Sequence, residues 1–175
     1  FSRLLHPLNA TLITSQGKDG KPNTLAIAWI IPVSTDPPML AFALTKERHS
    51  YKLIEQTREF VVNIAGFDMA RQVLYCGRKS GREVNKFEKT GLTAGKAKKV
   101  SVPIINECAA HLECRVEDTV PTGDHVLVLG KVLAAYARGE AFKGLYDLHR
   151  FRPLLHLGDD VFTTTSTETI EPRLD

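Results

Sequence analysis

The sequence predicts a mainly β fold with short inserted helices, closed or split into a barrel. Three observations predict it. Short segments that alternate apolar and polar residues recur along the chain, about seven in all. Glycine and proline, 12 and 9 of the 175 residues, punctuate the gaps between them. Strand-like and helix-like segments do not alternate regularly, and no GxGxxG or GxxxxGK occurs, which excludes a Rossmann or P-loop sheet.

Taken in order, Asn9 to Ser15 reads as a strand closed by the turn GKDGKPN. Thr24 to Ile31 is the second strand, and Met39 to Leu44 the third after the break at DPP. Ser50 to Thr57 reads as a short helix, with Ser50 as its N-cap and Tyr51 and Ile54 on one face. Phe60 to Ile64 is rich in β formers. Asp68 to Cys76 reads as a helix stopped at Gly77. In SGREVNKFEKTG, Ser80 and Glu83 form a capping box and Gly91 closes the helix. Val84 and Phe87 then share a buried face while Lys86 points elsewhere. GKAKK at 95–99 reads as a solvated basic loop. From Ala110 to Glu117 the faces separate: Ala110, Leu112, Cys114 and Val116 against His111, Glu113, Arg115 and Glu117. The chain turns at PTGD, and His125 to Tyr136 returns antiparallel. Leu154 to Leu157 and Val161 to Thr163 make a last hairpin around GDD. The polar tail, 164–175, is either mobile or docked on a partner subunit.

Composition is ordinary for a globular chain, at 43% hydrophobic, 25% charged and 7% aromatic residues. That excludes disorder, collagen-like repeats and low complexity. The length suits one domain over 1–175 with its core at 9–163. Such a chain buries roughly 70% of the surface its unfolded form exposes, so it needs no metal or disulfide staple. A net charge of +3 is too small by itself to imply nucleic acid. The longest apolar run, Leu25 to Val33, spans about half a membrane and contains Pro32. No secretory h-region opens the chain, and a start at Phe1 rather than Met implies missing leader residues. Three cysteines imply free thiols and a reducing compartment. The expectation is a soluble, cytoplasmic protein without membrane or nucleic-acid partners.

Three constellations could carry chemistry. The second strand has a bulky side (Leu25, Ile27, Trp29, Ile31) and a small one (Thr24, Ala26, Ala28). The small side either accepts a planar ring beside exposed main chain or packs against a helix. Thr45, Lys46, Arg48, His49 and Ser50 gather a hydroxyl and cations at a helix N-terminus. That combination suits a phosphate, or it is an N-cap with surface cations; Lys86 could add charge from elsewhere. Asp124–His125 is either a ligand-facing histidine beside a carboxylate or a turn histidine bonded to main chain. Cys108, His111 and Cys114 have ligand-like spacing, but on a strand His111 and Cys114 project to opposite faces, so no metal site is expected. Cys76 reads equally as core or as a thiol near a ligand. No Ser/His/Asp set is present.

GKPNTLAIAWIIPVSTDPP, KERHSYKLI, EFVVNI, YCGRKSGREVNKFEKTGL and GDHVLVLGKV, in this order, resemble the flavin reductase-like, FMN-binding split-barrel family. The likeness runs from Asn9 to about Phe162. It implies a Greek-key split β-barrel of FMN-binding type. It further implies that Asn23, Thr24, Leu25, Ala26, Ile27, Ala28 and Trp29 run along the isoalloxazine, largely through main chain. Thr45, Arg48, His49 and Ser50 would hold the ribityl phosphate, and Cys76, Gly77 and Lys86 would close over the flavin. His125 would lie where a nicotinamide stacks, in the catalytic region, and Phe162 would cover the site. The implied cofactor is FMN, with FAD as the other option, and NAD(P)H is the implied co-substrate. The implied assembly is a homodimer with flavin near the interface. A hydride would pass from NAD(P)H to the flavin and onward to free flavin, a ferric chelate or a partner protein. A flavoredoxin-like carrier without its own NAD(P)H activity is the alternative. A third reading is a non-flavin barrel that binds another phosphate ligand, or nucleic acid through the loop at 95–99. That loop lacks the interleaved aromatics of a stacking platform.

Overall fold

A computed structural model describes residues 1–172. The strands are β1 (Leu8–Asn9), β2 (Thr11–Gln16), β3 (Pro22–Ile27), β4 (Ile30–Thr35), β5 (Pro38–Leu44), β6 (Glu59–Ile64), β7 (Ala94–Gly95), β8 (Ile104–Ile105), β9 (Ala110–Thr122), β10 (His125–Ala137), β11 (Leu155–Gly158) and β12 (Val161–Thr163). Three helices interrupt them: α1 (His49–Thr57), α2 (Ala70–Arg78) and α3 (Lys86–Thr90). Seven strands form one antiparallel sheet in the order β3-β2-β6-β9-β10-β5-β4. The sheet curls into a split β-barrel whose two edge strands, β3 and β4, are joined by the break at Ala28–Trp29.

Alternation decides the filling. Inside the barrel lie Ile13, Leu25, Phe42, Phe60, Val62 and Val128, with Phe42 and Phe60 edge to face at 5.0 Å between centroids. Gly130 of β10 has no side chain because Phe60 occupies its place: a Cβ there would come 2.4 Å from Phe60 Cζ. A second core, outside the barrel, packs Leu12, Val73, Cys76, Phe87, Ile105 and Cys108 beneath α2 and α3. These two cores sandwich the β2–β3 edge of the sheet, and the β3 edge becomes a wall of the site.

Several expectations need correction. The second strand does not run to Ile31. It breaks after Ile27, so Leu25 and Ile27 are buried while Trp29 and Ile31 stand 42% and 60% exposed on the way into β4. Ser50 does not cap α1; Arg48 occupies the N-cap without a side-chain bond, and Ser50 Oγ accepts from Asn23 Nδ2 at 2.7 Å. The next helix does not stop at Gly77 but continues to Arg78, preceded by a 3-10 turn at Phe67–Met69. The Ser80–Glu83 capping box is not used. Ser80 closes a tight turn instead, and α3 starts five residues later, where Asn85 Oδ1 accepts from Glu88 N. Gly91 does close α3, at φ 69°. Lys86 does not point to solvent; it is buried beside Phe87.

The basic loop is not simply solvated either. The amides of Lys98, Lys99 and Val100 donate to the buried carboxylate of Glu113, which also takes the Tyr136 hydroxyl at 2.6 Å. His111 is likewise buried, bonded through Nδ1 to Asn63 Oδ1 at 3.0 Å. The polar face of β9 is therefore covered by 93–107 at His111 and Glu113, while Arg115 and Glu117 stay exposed. In the tail, 164–172 carries no helix or strand, and the expectation for 173–175 lies outside the described residues.

Candidate functional site

Two adjoining cavities lie along β3. The larger, about 570 Å³, is lined by Leu25, Ala26 and Ile27 of β3, Ala43 and Leu44 at the end of β5, and Thr45, Glu47, Arg48, His49 and Ser50 leading into α1. Cys76 through Gly81, Lys86 and His125 complete it. Its size lies within the range of small-molecule sites. The smaller, about 280 Å³, shares Ala26, Ile27, Gly77 and Arg78 with the first, and adds Ala28, Val73, His156 and Phe162. Together they make one slot running from the N-terminus of α1 to the β11–β12 hairpin.

The strand positions the wall. As a sheet edge, β3 turns alternate main-chain groups away from β2. The Thr24 carbonyl is one, since it accepts from Lys86 Nζ at 2.7 Å. By the two-residue period the main chain of Ala26 lies on the same edge. The small face settles between its two readings by doing both. Ala26 packs against α2, where a Cβ on Gly77 would lie 3.3 Å from its own Cβ, while Ala26 and Ala28 also line the slot. The glycine lets α2 approach without closing the opening.

The α1 end is cationic. No side chain caps the first turn of α1; Tyr51 N donates to the Arg48 carbonyl at 3.1 Å, which leaves the amides of His49 and Ser50 uncommitted to any cap. Arg48, Lys79 and Lys86 line this end. Lys86 is 5% exposed and clamps two main-chain carbonyls, Thr24 and Cys76, each at 2.7 Å. Burial, against the opposing pull of the nearby Cys76, depresses its ammonium to about 8. Burial, with Arg82 and Lys86 nearby, also holds His49 below the usual imidazole range. Cys76 is buried, and its thiol is pushed up to about 11, so it is no thiolate at neutral pH. The opposite end differs. Arg78 pairs with Asp160 and Arg3 with Asp159, so the hairpin neutralises the arginines there.

At the mouth, His125 Nδ1 meets Asp124 Oδ1 at 2.7 Å, and its ring lies 4.9 Å from Trp29, tilted by 32°. This hydrogen bond lowers the Asp124 carboxyl.

The structure thus brings thirteen of the sequence-derived residues onto the slot: Leu25, Ala26, Ile27, Ala28, Thr45, Arg48, His49, Ser50, Cys76, Gly77, Lys86, His125 and Phe162. Phe162 lines the second cavity. Asn23, Thr24 and Trp29 do not line it. Asn23 holds Ser50, Thr24 holds Lys86, and Trp29 flanks His125. Sequence reasoning missed Lys79, Ser80 and Gly81, because it assigned Ser80 to a helix cap. The signal was a glycine: a Cβ on Gly81 would lie 2.1 Å from Asn23 Oδ1 and 3.2 Å from His49, so the turn is pressed onto the α1 end of the slot. His156 carried no sequence signal. Among the described residues no cluster suited to a metal occurs.

The family of the flavin reductase like domain matches residues 2–164. The chain belongs to the flavin reductase-like family. An uncharacterized protein of Archaeoglobus fulgidus is 40% identical over 170 residues, covering 96% of this chain and 94% of its own. The flavin reductase (NADH) of Kitasatospora aureofaciens is 29% identical over 136 residues, 77% of this chain and 68% of that protein. Among solved structures, flavoredoxin from Methanosarcina acetivorans superposes with a TM-score of 0.83 at 29% identity, covering 94% of this chain and 88% of that one. The split barrel is thus the fold of a flavin reductase-like protein.

Proposed function

We propose that the slot binds FMN and that the chain is an oxidoreductase drawing on NAD(P)H. The observation that carries this reading is the slot's asymmetry. Its α1 end has uncapped amides and cations, while its far end has apolar walls and arginines already paired with aspartates. A flavin mononucleotide has the same asymmetry, a phosphate at one end and a fused ring at the other. The glycines test the fit. Gly77 and Gly81 keep clear a cradle that their Cβ atoms would crowd, against Ala26 and Asn23 respectively.

In this reading Arg48, Lys86, Thr45 and the first amides of α1 hold the phosphate. Asn23 orients the Ser50 hydroxyl toward the same group. The β3 edge offers main-chain donors and acceptors to the ring. Trp29 and Asp124 fix the imidazole of His125 where it orients a nicotinamide; hydride transfer asks no proton of it. When bound, FMN would supply the redox chemistry between NAD(P)H and an acceptor that is free flavin, a ferric chelate or a partner protein. The protein supplies positioning, worth on the order of 7–11 kcal/mol in well-oriented cases. A homodimer is part of the proposal, with a second copy covering the exposed Trp29, Ile31 and Val33 beside the slot.

The flavoredoxin likeness favours a second reading, a carrier that keeps FMN and takes electrons from a protein. One experiment separates them. FMN-loaded protein is mixed anaerobically with NADH or NADPH and no second protein. Bleaching of the flavin band within a catalytic timescale supports the reductase. A loaded protein that stays yellow supports the carrier, and a protein that never loads sinks both.

A further inference from the structure

We infer that a second site, separate from the flavin slot, binds a small polyvalent oxyanion between Arg138, Arg150 and Arg152. A cavity of about 270 Å³ opens there, between Gly66–Asp68 after β6, the segment leading into β11, and Arg138 just beyond β10. It shares no lining residue with either cavity of the slot.

Main-chain hydrogen bonds lock its walls together. Phe67 N donates to Arg152 O at 2.8 Å, Gly66 bridges Pro153, and Arg138 N donates to Ala109 O at 2.9 Å. The guanidiniums are held in place as well. Arg138 Nη2 donates to the Glu107 carbonyl at 3.2 Å, and Arg152 lies over the Phe67 ring at 4.8 Å. Arg150 reaches Asp147 at 3.5 Å.

Two carboxylates also line the cavity, yet neither forms an ion pair with these arginines among the described residues. Both Glu107 oxygens accept from Thr93 N, at 3.1 and 3.0 Å. Asp68 folds back over Gly66, where a Cβ would come 2.5 Å from its Oδ1. Arg138 and Arg152 thus face the cavity with carbonyl and ring partners only. The positive field of Arg138 reaches inward, since it adds to the burial that depresses His111. Arg150 is paired with Asp147, but Arg138 and Arg152 put two guanidiniums without a carboxylate partner among the described residues on one cavity, and an anion with two or more charges offsets their repulsion. Guanidinium forks match the oxygens of both phosphate and carboxylate, so that shared chemistry defines the ligand.

The test titrates FMN-saturated protein with inorganic pyrophosphate and, separately, with citrate, at ionic strength held constant with sodium chloride and followed by calorimetry. Saturable binding is expected, weakened about tenfold or more in Arg138→Gln/Arg152→Gln, the loss due to two charged hydrogen-bond partners. The tighter of the two anions tells a phosphate-type from a carboxylate-type ligand. Arg48→Gln, altered at the slot instead, keeps this binding. On protein without FMN the cationic end of the slot is open to the same anions, so there the site is the saturable component that Arg138→Gln/Arg152→Gln removes and Arg48→Gln keeps, and a failure of the flavin reading leaves the result interpretable. Should the double variant not fold, Arg152→Gln alone, on an exposed side chain, shows the same loss at smaller size. Absence of saturable heat with both anions, or equal binding in the arginine variants, overturns the site.

Discussion

Lys86 is the residue on which sequence and structure differ most usefully. Its place in the capping-box helix put it off the Val84–Phe87 face, as an added charge for the anion site, but the late start of α3 turns it inward to tie Thr24 to Cys76. A lysine with a folded value near 8 and an unfolded value near 10.5 binds its proton less tightly when folded. Its burial penalty is therefore fully present below pH 8 and fades as pH rises toward 10.5. Ligand binding runs the other way, because a phosphate needs the charged form. FMN affinity is expected to be flat below about pH 8 and to fall above it, as followed by fluorescence titration across pH. Lys86→Met should remove that break and, by orphaning two buried carbonyls, lower stability by about 2 kcal/mol in chemical denaturation. A break that persists in the variant would assign it to another group. His125 makes a different prediction. His125→Ala should slow NAD(P)H oxidation far more than it weakens FMN, since the ring lies at the mouth rather than along the wall. Unchanged steady-state rates would remove its positioning role.

At the scale of elements, what was legible depended on whether local chemistry or tertiary packing decided the outcome. Strands that alternate cleanly, such as those around Ala110–Glu117 and His125–Tyr136, form where their patterns place them, because one face fills the barrel. Helix boundaries shifted wherever a side chain found a better partner than its own backbone. Ser50 gave up capping for Asn23, and Ser80 closed a turn. No periodicity could reveal the burial of His111 and Glu113, because the cover comes from the irregular loop 93–107, just before β9, folding back over the strand. Two glycines carry predictions here. Gly130→Ala should overpack the barrel against Phe60, costing about 1–3 kcal/mol in denaturant unfolding, with FMN binding intact in the folded fraction. Gly81→Ala should act on the slot instead. By displacing Asn23 from Ser50 it should weaken FMN about tenfold, at a stability cost of about 1 kcal/mol for the lost buried hydrogen bond. If Gly130→Ala weakened FMN in its folded fraction as much as Gly81→Ala does, the separation of barrel and slot would be wrong.

The whole molecule is a barrel with a second core clamped to its split edge, and the flavin slot is the seam between them. That arrangement explains why the family resemblance in the sequence was spread over separated segments: four of the five line the seam, and the other, EFVVNI, is β6 inside the barrel, with Phe60 and Val62 in its core. It also places buried titratable groups away from the site, where they govern acid stability. His111, depressed to about 4 by burial, takes up a proton in the unfolded chain between pH 6.5 and 4 but not in the folded one. Stability should therefore fall as pH drops through that window, by roughly 3 kcal/mol at its end. Urea unfolding of His111→Gln, which lacks the group, should show a flatter profile there. The central claim is that the seam holds a planar ring and that its α1 end holds a phosphate. Parallel fluorescence titrations of the purified protein with FMN and with riboflavin, which differ only in that phosphate, test it most directly. The account predicts stoichiometric, saturable quenching of FMN and binding of riboflavin about 10–100-fold weaker, the loss of charge-assisted hydrogen bonds. Equal affinities for the two, or no saturable binding of FMN, would contradict it.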